Sequence, residues 1–90
     1  MEIDQQPSRE TVLDTLTREL TPYLGQTMAQ AAVETHRQKL GIDGPHITPG
    51  QLDALLAKLG AGLVIFVGRE RTEVIVRQAR SAVNSLPVYS

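Results

Sequence analysis

Cysteine is absent from this chain of 90 residues, and so is tryptophan. Without cysteine there is no disulfide framework, no thiolate metal site and no cysteine nucleophile. A reducing compartment fits, but many secreted proteins also lack cysteine. Aromatic residues are confined to Tyr23, Phe66 and Tyr89, which disfavours the stacking platforms that bind unpaired bases. Long hydrophobic runs are missing too. The longest, Leu63 to Val67, falls far short of the roughly 20 residues that cross a bilayer. The opening residues, Met1 to Pro7, are acidic and polar, unlike the charged and apolar regions of a signal peptide. The expectation is a cytoplasmic protein without membrane contact.

Catalytic patterns are also lacking. There is no phosphate loop, nucleophile elbow or GxGxxG. The serines at 81, 85 and 90 have no histidine in a suggestive relation. His36 and His46 lie ten residues apart across a loop; even with Glu34 or Asp43 they do not reproduce the ligand spacing of a zinc site. Asp43 and Asp53 could be paired for acid–base work, but no feature of the sequence places them in a dry pocket, and Asp53 suits the positive end of a helix dipole. The reading is a non-enzyme with no cofactor and no metal.

What is present is the composition of one small domain: 41% hydrophobic, 21% charged, net charge −1. A chain of this size has room for one core and is marginally stable, so self-association or a partner would help it. Residues 1–7 read as a frayed leader, 8–86 as a single helical domain and 87–90 as a tail. No internal repeat or low-complexity tract is visible.

Spacing predicts helices over 9–20, 22–40, 49–59, 61–67 and 69–85. Ser8 caps the first, whose apolar stripe is Val12, Leu13, Leu16 and Leu20. Thr21-Pro22 restarts the chain, with proline at the first helical position. In the second helix Leu24, Met28, Ala31 or Ala32, and His36 trace the expected buried side, and Gly41 supplies a left-handed end. Thr48-Pro49-Gly50-Gln51 has the form of a capping box, with Ile47 and Leu52 as its hydrophobic staple. Leu52, Leu55, Leu56 and Leu59 follow at helical spacing, and Gly60 reads as the stop. Leu63 to Val67 is ambiguous: it can be a short buried helix, or one arm of a hairpin with Glu73 to Arg77. A lone hairpin is marginal in water, and Ile75, Ala79, Ala82, Val83 and Leu86 continue at helical spacing. The fold expected is all-α, a compact bundle of four to five short helices with the third central; the alternative is α+β with a 63–77 hairpin.

Charge is uneven: residues 1–34 carry net −4 and residues 35–90 net +3. Arg69, Arg77 and Arg80 fall near one face of the last helix and Arg71 lies off it. Glu70 and Glu73 interrupt the basic stripe, and Glu73 can pair with Arg77 at i, i+4. Three readings stand side by side: a solvated face, a surface for an acidic protein partner or another copy, and a phosphate-binding face. The run 63–67 belongs either at the centre of the core or at an interface.

Leu20-Thr21-Pro22-Tyr23-Leu24-Gly25, the long small-residue helix after it, Leu40-Gly41-Ile42, the Leu52/Leu55/Leu56 helix and Phe66-Val67-Gly68 together resemble small helical modules attached to bacterial signalling proteins such as response regulators and serine/threonine kinases. The resemblance covers about Leu20 to Leu86. It implies an all-α bundle with an interaction role and transfers no catalytic residue; no receiver or kinase domain accompanies it here. The function expected is a non-enzymatic protein–protein interaction, as a self-associating adaptor or regulatory module. Phe66, Arg69, Arg77, Arg80 and Tyr23 are the expected contact residues, and the partner is a second copy or an acidic protein. The alternative is a helical nucleic-acid-binding protein using the arginine face.

Overall fold

The computed structural model describes residues 7–86. The expected leader and tail fall almost wholly outside them. Four helices, α1 (Arg9–Leu24), α2 (Gln26–Lys39), α3 (Pro49–Val67) and α4 (Arg69–Asn84), make up the fold, and the described residues include no strand. The hairpin alternative is therefore set aside: Glu73 to Arg77 lies inside α4.

Two helix starts are built as the sequence implies. The Ser8 hydroxyl accepts from the Thr11 amide at 3.1 Å. Thr48 and Gln51 form the reciprocal box, with side chain to amide distances of 3.1 and 3.0 Å. The other two helices begin without a side-chain cap, each straight after a glycine. Gly25 has φ 84° and ψ 157°, and Gly68 has φ 86° and ψ 167°. That backbone region is essentially reserved for glycine. Each glycine amide still closes the last turn of the preceding helix, onto the carbonyls of Thr21 and Val64 at 2.8 and 2.9 Å. A single residue thus reverses the chain, and α1–α2 and α3–α4 become two helical hairpins with the same punctuation, although their side chains show no repeat.

Both expected breaks at other positions are absent. The chain does not restart at Thr21-Pro22; α1 runs through Pro22 to Leu24. The Thr21 hydroxyl donates back to the Thr17 carbonyl at 2.7 Å, as an interior helical threonine does. The carbonyl that proline deprives of a donor is that of Arg18, an exposed residue, where water can replace the bond. Nor does Gly60 stop α3. It is buried mid-helix, and a Cβ there would stand 3.3 Å from Val76 Cγ2 and 3.7 Å from Thr72 Cγ2. Continuing the helix carries Leu63 into the core, which outweighs the roughly 1 kcal/mol that glycine costs against alanine.

Within each hairpin the helices are antiparallel. Thr17 faces Gln30, and Glu10 faces Glu34; Gly60 lies against Thr72 and Val76, while Asp53 pairs with Arg80. The hairpins pack with α1 beside α4 and α2 beside α3. Their shared core is Val12, Leu16, Leu20, Ala29, Val33, Ile42, Ile75, Ala79 and five leucines of α3. The stripe expected on the second helix is one residue off: Ala29 and Val33 are buried, whereas Met28 and Ala31 are exposed. Leu24 belongs to α1, so it does not set the register of α2. The connection between hairpins is pinned from three sides. Ile42 is fully buried. The Arg37 guanidinium donates to the Ile42 carbonyl and to Asp43, both at 3.1 Å. The Arg9 amide donates to the Pro45 carbonyl at 2.8 Å, and His46 Nδ1 lies 2.9 Å from the carbonyl oxygen of Pro7.

Candidate interaction surface

The apolar run 63–67 divides between core and solvent. Leu63 is buried and Val67 half-buried, while Val64, Ile65 and Phe66 are 42%, 84% and 58% exposed. The expectation that the whole run centres the core is corrected here. One helical turn presents residues in every direction, and the neighbouring helices cover only the side that Leu63 and Val67 share. Val74 of α4 is exposed too. Val67, Gly68 and Val74 line a shallow groove of about 620 Å³ at the closed end of the second hairpin, edged by Arg69, Glu70 and Arg71.

Of the expected contact residues, Phe66 and Arg69 meet at this end of the molecule. Arg77 and Arg80 do not; they border a separate groove of about 460 Å³ between α3 and α4. Leu56, Ala57 and Gly60 floor it from one side and Thr72 and Val76 from the other. The Arg80 guanidinium is engaged by the Asp53 carboxylate within the chain. The Glu73–Arg77 pair expected from spacing does not form: neither residue makes an ion pair among the described residues, and the same holds for Arg69, Glu70 and Arg71. Tyr23 is exposed in the last turn of α1, on the other hairpin, and lines neither groove.

Electrostatic perturbation lies away from both grooves. Burial, with Lys39 and Lys58 adding like charge, pulls the His36 imidazole below its ordinary value. Hydrogen bonds from Arg37, at 2.9 Å through Nε, hold the Glu34 carboxyl below the usual carboxylate range. Among the described residues no three histidine, aspartate or glutamate side chains converge as metal ligands would.

Sequence reasoning missed Ile65, the most exposed large apolar residue, and Val74. The signal was available in the helical wheel: once α3 continues past Gly60, Ile65 falls opposite the Leu52–Leu56–Leu59–Leu63 stripe. It also missed that Pro49–Val67, as one helix with only Asp53 and Lys58 charged, is long and apolar enough by length and composition to cross a membrane. One third of it is buried inside the bundle, as in a core helix. No protein-family profile matches the chain, and neither curated proteins nor solved structures include a significant match to it.

Proposed function

We propose that this chain is a small non-enzymatic interaction module that associates with itself. The observation that carries the reading is the cluster of Val64, Ile65, Phe66 and Val74, left exposed by a bundle whose core is already filled. Scattered surface apolar residues are normal, but a contiguous group with a charged edge marks a protein-binding site. Arg69 and Arg71 alternate with Glu70 around it, which suits a surface of mixed charge better than a polyanion. A nucleic-acid partner, whose affinity would fall steeply with salt, is the weaker reading for that reason. The adaptor or regulatory role belongs to this proposal as well, and draws on the leucine–glycine and alanine-rich pattern alone.

Sedimentation velocity across a concentration series, at low and high salt, tests the reading. A dimer that persists at high salt is expected, because apolar burial is not screened. A dimer lost at high salt would mean that the acidic and basic parts of the chain meet instead. A monomer under all conditions would refute self-association.

A further inference from the structure

Resting on that reading, we infer that the closed end of the α3–α4 hairpin is a self-complementary docking surface, in which Phe66 of each copy enters the Val67–Val74 groove of the other. A two-fold symmetric contact requires one patch to hold both the projecting group and its receptor. Here the two are neighbours. Phe66 projects from the last turn of α3 at 58% exposure, and the groove opens across Gly68 on the first turns of α4. The groove's volume of about 620 Å³ is ample for one phenyl ring, and its accessible lining is more apolar than polar.

Charge selects the occupant. Arg69, Glu70 and Arg71 edge the groove with both signs interleaved, and none of them makes an ion pair within the described residues. A second copy brings the same alternation, so Glu70 of each can face an arginine of the other. An anionic lipid surface would repel Glu70, and burying three charged side chains beside the apolar end opposes insertion. The contact is small, so a weak dimer is expected.

The two halves of the contact can be broken separately. Phe66→Asp removes the projecting ring, and Val74→Asp spoils the receptor. Each should raise the dimer dissociation constant by about thirtyfold, as loss of an interface anchor does, with helical circular dichroism retained. Mixed together, the two variants should associate more tightly than either alone, because Phe66 of the Val74→Asp chain can still enter the intact groove of the Phe66→Asp chain. Ile65→Cys, in a chain with no other cysteine, should give a disulfide-linked dimer on mild oxidation, while Gln30→Cys on α2 should not. If the wild type dimerises but neither aspartate variant weakens it, or if Gln30→Cys links instead, this surface is wrong and self-association stands. A monomeric wild type overturns both. Flotation of the wild type with phosphatidylserine vesicles, lost in Phe66→Asp, would overturn the second copy as occupant in favour of a membrane.

Discussion

His36 and Glu34 sit on the same helix and respond to acid for different reasons. Burial is the first cause at His36, so the folded state prefers the neutral ring. Its folded value lies below the ordinary value of about 6.5, and the unfolded chain therefore binds the proton more readily. The associated stability is complete above about pH 6.5 and is lost as pH falls from there through the folded value. Glu34 is depressed by its hydrogen bonds to Arg37, and its contribution is lost lower down, below the ordinary carboxylate range. Replacing His36 by Gln should flatten the fall of melting temperature just below pH 6.5 and leave the more acidic fall in place. An unchanged profile for His36→Gln in that window would show that the buried ring is not the group responsible.

At the scale of elements, glycine plays opposite parts at two positions of the second hairpin. Gly68 holds φ 86° with open space where a Cβ would stand, so Gly68→Ala should destabilise by about 1–3 kcal/mol through backbone strain alone. Gly62 is exposed within α3, also with open space around it. There Gly62→Ala should stabilise by about 0.5–1 kcal/mol, through helix propensity. Thermal denaturation of the two variants should move in opposite directions. A loss at both positions would mean that α3 needs flexibility at Gly62.

Across the whole molecule the hairpins share one core, and Leu55, fully buried among it, ties them together. Leu55→Ala should cost about 2–5 kcal/mol, a large share of the 5–15 kcal/mol typical of a folded domain. Because the cluster spans all four helices, the loss should lower amide protection in α1 and in α4 alike, read by hydrogen exchange. Protection lost in α3–α4 only would mean that the two hairpins unfold as separate units.

Helix content, the two capped starts and most of the core stripes were legible in the sequence by itself, because capping chemistry and 3.6-residue spacing are local properties. The corners were not. Gly25, Gly60, Gly62 and Gly68 are the same residue in sequence, yet Gly25 and Gly68 turn the chain while α3 runs through Gly60 and Gly62. What separates them is the packing of α4 on Gly60 and of Leu63 in the core. Pro22 was read as a start for the same reason: a local signal was given weight that burial of α1 overrides. The candidate surface was half legible. Phe66 and Arg69 stand at it, but Arg77 and Arg80 were grouped with them by helical phase, and the pairing of Asp53 with Arg80 in a second groove is set by the α3–α4 contact. The sequence alone determined that the chain is helical, has one core and carries an apolar run near residue 65. Tertiary structure decided which side of that run meets water, because only the placement of neighbouring helices determines which residues of a turn are covered.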